Sequence, residues 1–246
     1  MFHLLLREGL AALSLDWLLA SPCPLCHRLP PAGQTTAGRS SQQGAFCAAC
    51  SASLALVPEG LHGCWPLNWW GSGLYEGGLR QALLNQRRRP DPALLQALLR
   101  PLGQALGHTL RRRQNGGGEH PPWLVTVPSW KRQANPLPGL IAAELGRQLG
   151  LQQRPLLERS RVVLGQHRLG RQLRMENQRG SFRCLQEPRR GAVRPVLIVD
   201  DILTTGATAG YAALCLERHG WPVLGLACLA RTPQRRRPDR PGGCTP

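Results

Sequence analysis

Two groups of residues in this sequence have the types and the spacing that chemistry needs. The first is Cys23-Pro-Leu-Cys26 and Cys47-Ala-Ala-Cys50, two Cys-x-x-Cys pairs with 20 residues between them. Each pair closes a tight turn that aims two thiolates at one point. Four thiolates fill the tetrahedral shell of a structural Zn²⁺ and leave no position for water, so such a metal would hold a module together rather than catalyse. A redox dithiol or ordinary packing would also use cysteine. The surrounding segment, however, is polar and offers nothing that could form a core, which is the situation in which a metal supplies the folding energy. His27 and Cys64 are nearby substitutes.

The second group is the run Val196-Leu-Ile-Val-Asp-Asp-Ile-Leu-Thr-Thr-Gly-Ala-Thr208. Its apolar start reads as a buried strand, a rigid platform. At the end of that platform Asp200 and Asp201 can accept hydrogen bonds from two adjacent sugar hydroxyls, as carboxylates at the carboxyl ends of strands in open α/β sheets do. The loop Thr204-Thr205-Gly206-Ala207-Thr208 then enters a helix, so that backbone N–H groups, hydroxyls and the helix dipole converge on a phosphate dianion. Gly206 lets the backbone approach closely. A surface turn with a helix cap would explain one acid and one threonine, but not this whole order.

The elements that must position these groups are legible from periodicity and punctuation. Leu6, Leu10, Leu13 and Trp17 form a helical apolar stripe ahead of the cysteines. From Leu74 to Leu110 the spacing is helical and is broken by Arg87-Arg-Arg-Pro-Asp-Pro92, which reads as two helices and a basic turn. Trp123 to Val127 reads as a short strand ending at Pro128, and Leu140 to Leu149 as a helix capped by Gly150. Val162 to Phe182, rich in Arg and Gln, reads as a solvated helix or a loop. Pro195 to Val199 is a strand, Ala207 to His219 a helix capped by Gly220, and Val223 to Leu229 a strand. Strand, helix, strand in that order is a parallel crossover, so the fold class is α/β with a parallel sheet flanked by helices and a small N-terminal zinc-binding module. We divide the chain into a helix and cysteine module over 1–66, a main domain over 67–231 and a disordered basic tail over 232–246.

Composition bounds the function. The chain has 246 residues with 31 Lys+Arg against 14 Asp+Glu, a net charge of +17, and Lys131 is its single lysine. That balance is compatible with a nucleic-acid partner, and equally with a skewed coding composition. With 42% hydrophobic residues the chain is not wholly disordered, and Arg7, Glu8 and Asp16 interrupt the apolar N-terminus before it reaches membrane-span length. Nine cysteines without a secretion signal point to a reducing compartment, the cytoplasm, rather than to a disulfide scaffold.

The acid pair with its Thr/Gly loop resembles the signature of type I phosphoribosyltransferases. Together with the paired Cys-x-x-Cys turns, the chain resembles the ComF family, which is associated with late competence and DNA uptake in bacteria. Further matches are Tyr75-Glu-Gly-Gly-Leu-Arg80, Val127-Pro128, and the spacing of Gln166, Leu169, Arg171, Asn177, Gly180 and Phe182; Arg87 falls where that family usually has a lysine. In place of the family's Arg-Gly-Phe-Asn-Gln run stands Lys131-Arg-Gln-Ala-Asn135-Pro, which keeps the asparagine and lacks the Gly-Phe.

The resemblance implies a phosphoribosyl ligand, 5-phosphoribosyl 1-diphosphate or a nucleotide, with diphosphate displaced from C1 by a nitrogen nucleophile if the protein is an enzyme. Asp200 and Asp201 would fix the ribose, directly or with Mg²⁺, and Thr204, Thr205, Gly206, Ala207 and Thr208 would cradle the 5′-phosphate. Ser129, Lys131 and Arg132 would meet the diphosphate, and Arg171, with Arg168 and Arg174, would close over it. The alternative reading is a non-catalytic protein of DNA uptake that binds single-stranded DNA, with Trp65, Trp69 and Trp70 available for stacking on bases. DNA-uptake proteins are then the implied partners.

Overall fold

The computed structural model describes residues 21–29, 45–117, 120–129, 135–160, 181–189 and 193–233. The stripe from Leu6 to Trp17, the residues Lys131, Arg132, Arg168, Arg171 and Arg174, and the tail beyond 233 lie outside the described residues. The chain divides into two compact units, Met1–Ser53 and Leu54–Pro246. Residues 56–63, which the sequence reading groups with the cysteine segment, form a strand of the second unit's sheet.

In chain order the elements are α1 (Ala48–Leu54), β1 (Leu56–Gly63), β2 (Trp69–Leu74), α2 (Gly77–Arg88), α3 (Pro92–Asn115), β3 (Trp123–Thr126), α4 (Leu137–Leu149), β4 (Leu157–Arg159), β5 (Phe182–Cys184), β6 (Val196–Leu203), α5 (Ala207–Arg218) and β7 (Val223–Arg231). The main sheet runs β1-β2-β7-β6-β3. Within it, among the described residues, β1–β2 pairs antiparallel and β2–β7, β7–β6 and β6–β3 parallel, while β4 and β5 form a separate antiparallel pair. The α/β class and the mostly parallel sheet flanked by helices therefore stand as read.

Local chemistry explains the helix ends. Asp91 caps α3 by accepting the N–H groups of Ala93 and Leu94 at 2.9 and 3.1 Å, and Pro92 suits the first helical position. The buried residues Leu94, Leu95, Leu98, Leu99, Leu102 and Leu106 then form one apolar stripe, and α3 packs through it on β1, β2 and α4. Gly150 ends α4 in the left-handed region at φ 68° and Gly220 follows α5 at φ 85°, as the sequence reading places them.

One boundary differs in a way that matters. The sequence reading ends the strand at Val199, whereas β6 continues through Asp200 and Asp201 to Leu203, because β7 keeps pairing with it as far as Leu203 opposite Arg231. The two acids are therefore strand residues, and adjacent strand residues point to opposite faces of the sheet. Val196 and Ile198 belong to the core cluster that includes Ala209, Ala212 and Leu216 of α5, so Asp200 shares the α5 face and Asp201 faces the other way.

Candidate functional site

Asp201 is 4% exposed. A carboxylate taken out of water must be compensated, and its Oδ2 receives the Nε and Nη2 of Arg87, from the last turn of α2, at 2.7 and 2.6 Å, and the Nδ2 of Asn135 at 2.5 Å. Both donors sit at helix ends. The buried Gln86 accepts the N–H of Asp91 at 3.0 Å and so sets the turn beside Arg87. Asn135 accepts the N–H of Leu137 with its Oδ1 at 3.2 Å, at the start of α4.

Asp200 is half-buried and accepts the N–H of Asp201 at 2.9 Å. Burial, reinforced by the charge of Asp201, pushes its carboxyl up to about 8, against the opposing pull of that N–H, Arg87 and Arg159. Arg159, at the end of β4, lies over the Phe182 ring at 4.4 Å and donates from Nε to the carbonyl of Pro128 at 3.0 Å. It thereby ties the Val127–Ser129 loop, at the carboxyl end of β3, to the Asp200 side of the sheet. Ser129 is part of that loop, half-buried; Lys131 and Arg132, expected beside it, lie outside the described residues.

The threonine loop follows directly. Thr204 is exposed, Thr205 half-buried, and the Thr205 hydroxyl accepts the N–H of Ala207 at 3.3 Å. Gly206 sits at φ 79° as the N-cap of α5, a conformation that favours glycine, and a Cβ there would lie 2.3 Å from Cγ of Pro66. The loop is braced from below by Arg231, itself 4% exposed, whose Nη1 donates to the carbonyl of Leu203 at 3.1 Å and to that of Thr204. Those carbonyls are thereby turned away from the helix start, where the Ala207 N–H is met by the Thr205 hydroxyl. Thr208 lies within the first turn of the helix.

The structure thus brings together Asp200, Asp201, Thr204, Thr205, Gly206, Ala207, Thr208 and Ser129 at the carboxyl end of the parallel sheet. Four residues that the sequence reading gave no role there join them: Arg87, Asn135, Arg159 and Arg231. The signal for Arg87 and Asn135 lay in their matches to family positions. Arg159 and Arg231 had none, because long-range contacts define them. Of the three tryptophans, Trp70 donates from Nε1 to the Thr109 hydroxyl at 3.2 Å and Trp69 lies under Arg231 at 5.5 Å, so both are packed; Trp65 is 56% exposed.

The cysteine module is a separate centre. The ligand atoms of Cys23, Cys26, Cys47 and Cys50 all lie within 4.8 Å of one another. The Cys26 and Cys47 sulfurs are 3.7 Å apart, which matches the edge, about 3.8 Å, of a tetrahedron with Zn–S bonds of about 2.3 Å. The turn is held by Cys23 N–H to the carbonyl of Arg28 at 3.0 Å and His27 N–H to that of Cys23 at 2.8 Å, while Cys47 N–H points at the Cys23 sulfur at 3.5 Å. Burial works against the Cys23 thiolate, but N–H groups of Cys47, Cys26 and Leu25 outweigh it and bring the thiol down to about 6. Burial and the three neighbouring sulfurs push Cys50 up to about 12. Four crowded sulfurs that cannot all ionise alone are a donor set suited to a dication such as zinc.

Fold and site together define an α/β protein with an acid pair and a threonine loop at the carboxyl end of a parallel sheet, joined to a four-cysteine module that could hold a metal ion. No helix among the described residues is long and apolar enough to cross a membrane. No protein-family model matches the chain. It is 34% identical over 128 residues to DNA utilization protein YhgH of Escherichia coli K12, covering 50% of this chain and 55% of that protein. To the protein of the same name in Salmonella typhimurium it is 33% identical over 132 residues, 52% of this chain and 57% of the relative. The chain thus spans about half the length of these curated relatives. A shorter match, 44% over 55 residues, covers 21% of this chain and 30% of adenine phosphoribosyltransferase 1 of Triticum aestivum. Among solved structures, an adenine phosphoribosyltransferase aligns over 74% of this chain and 89% of its own, with 16% identity and a TM-score of 0.36.

Proposed function

We propose that the protein is a ComF-type member of the phosphoribosyltransferase group that binds a phosphoribosyl ligand, 5-phosphoribosyl 1-diphosphate or a nucleotide, in the service of DNA utilization. The observation that carries the reading is the placement of Asp200 near the carboxyl end of β6, four residues before a threonine loop whose entry is pinned by Arg231 at the carbonyls of Leu203 and Thr204 and which runs directly into the N-terminus of α5. Such an arrangement offers a hydrogen-bonding carboxyl for ribose hydroxyls and a dipole-assisted nest for a phosphate. The short match to an adenine phosphoribosyltransferase supports the ligand class, and the relatives named for DNA utilization support the role.

On this reading Asp200 holds the ribose, with Asp201 anchored behind it by Arg87 and Asn135, Thr204 to Thr208 hold the 5′-phosphate, and Ser129 with Lys131 and Arg132 the diphosphate, with Arg171 closing over it. Mg²⁺ travelling with the diphosphate belongs to the ligand. If the group is transferred, C1 loses diphosphate and gains a nitrogen nucleophile through an oxocarbenium-like state that positioned charge stabilises. The ligand is a metabolite of the cell interior, so the protein works in the cytoplasm, and zinc in the cysteine module is structural.

The test is thermal unfolding of the full chain with and without 5-phosphoribosyl 1-diphosphate and Mg²⁺, for the wild type and Asp200→Asn. A ligand that binds only the folded state raises the midpoint. A rise in the wild type that is lost in the variant supports the pocket; no rise in the wild type overturns it. The second reading, single-stranded DNA binding without transfer, draws on the +17 charge and the DNA-utilization relatives. It requires affinity for an oligonucleotide that falls steeply with salt.

A further inference from the structure

We infer that Arg87 is a positioning residue standing where a divalent cation would otherwise be needed, so that the site takes the sugar-phosphate end of its ligand with no metal ion bound to Oδ2 of Asp201. The inference rests on the proposed phosphoribosyl site and corrects the expectation that Mg²⁺ could join the acid pair to the ribose.

The argument is one of occupancy. A carboxylate oxygen offers two lone pairs in its plane. Oδ2 of Asp201 already has three donors on it, Arg87 Nε at 2.7 Å, Arg87 Nη2 at 2.6 Å and Asn135 Nδ2 at 2.5 Å. Mg²⁺ would have to approach that oxygen to about 2.0–2.1 Å in near-octahedral geometry. It would meet a guanidinium that is permanently charged and already bonded there. The contact is not an incidental surface pair, because the Asp201 side chain is 6% exposed. Both donors also sit at helix ends: Asn135 accepts the N–H of Leu137, and Gln86, next to Arg87, accepts the N–H of Asp91. The carboxylate is thus fixed and neutralised before any ligand arrives. Asp200, on the opposite face of β6, is the partly buried carboxyl of the pair and accepts the N–H of Asp201.

The experiment is isothermal titration of ribose 5-phosphate, a probe without diphosphate and hence without a strong Mg²⁺ site of its own, into the zinc-loaded full chain. It is run in buffer passed over chelating resin and again with added Mg²⁺. The wild type is expected to bind equally well in both. Arg87→Ala is expected to bind about tenfold more weakly or worse without Mg²⁺, the scale of losing a group that orients a binding residue, and to regain affinity when Mg²⁺ is added, because the cation can then take the place of the guanidinium on Oδ2, beside Asn135. Arg87→Lys, which keeps the charge, should retain most of the binding. The response to Mg²⁺ separates positioning from a folding defect, which Mg²⁺ would not repair. Wild-type binding that requires Mg²⁺, an Arg87→Ala affinity equal to wild type, or a weakened variant indifferent to Mg²⁺ each overturns the inference and leaves the proposed function standing. Ribose 5-phosphate binding to no variant in either buffer overturns both.

Discussion

Arg231 stands opposite Leu203 in the parallel register of β7 and β6, and its guanidinium turns back across that register to bond the carbonyl of the same leucine at 3.1 Å. A buried cation thereby fixes the backbone just where the strand gives way to the threonine loop.

Replacing Arg231 should show this directly. Arg231→Met keeps the length of the side chain but leaves the carbonyls of Leu203 and Thr204 without their charged donor, a loss of roughly 2 to 4 kcal/mol. Urea denaturation should register it as a lower midpoint, and titration with 5-phosphoribosyl 1-diphosphate as weaker binding. Arg231→Lys should recover only part, since an ammonium cannot reproduce the fork.

Two glycines in one segment should respond with opposite signs. At Gly206 the φ of 79° and the Pro66 ring both oppose a Cβ, so Gly206→Ala should destabilise by about 2 to 4 kcal/mol. At Gly210, within α5, a Cβ would meet nothing within 4 Å, so Gly210→Ala should stabilise by roughly 0.5–1 kcal/mol. Parallel denaturation curves for the two variants check both.

The raised carboxyl of Asp200 makes stability depend on pH. Its folded value of about 8 lies above the unfolded carboxyl, which titrates near about 3.9, so between those values the folded chain holds a proton that the unfolded chain has lost. This contribution is fully present below the unfolded pKa and is lost as pH rises through the folded one. Denaturation measured from acid to alkaline pH should therefore show wild-type stability declining toward pH 8 relative to Asp200→Asn. Parallel pH curves for the two proteins would contradict the assignment.

For the cysteine module, elemental analysis of fresh protein should find one zinc per chain, and none would dismiss the metal. Cys23→Ser should abolish the zinc and lower solubility more than it lowers binding of 5-phosphoribosyl 1-diphosphate, because the module and the threonine loop belong to different compact units. Loading the apo protein with zinc should release protons, since thiols as different as Cys23 and Cys50 must all become thiolates.

What could be read from sequence was what is local. The cysteine turns, the two helices around Arg89 to Asp91, and the strand, loop and helix from Val196 to Arg218 are each specified within a few residues by spacing, Pro, Gly and β-branched runs. The strand Leu56–Gly63 escaped because Pro58 and Gly60 mask its pattern, and Trp69–Leu74 because Gly71 and Gly73 leave little side chain to alternate. The partners of Asp201 escaped for a different reason. Arg87 and Asn135 are 114 and 66 residues away in sequence, and no periodicity encodes which arginine among many a buried carboxylate will choose.

The strand order has a consequence for synthesis on the ribosome. β7 lies between β2 and β6, yet it is the last strand of the sheet in the chain. Until it emerges, β2 and β6 each present an edge of unpaired N–H and C=O groups. A nascent chain that stalls before Val223 is therefore an open sheet able to pair with its neighbours, and accurate assembly depends on the speed with which nine final strand residues slot into the gap.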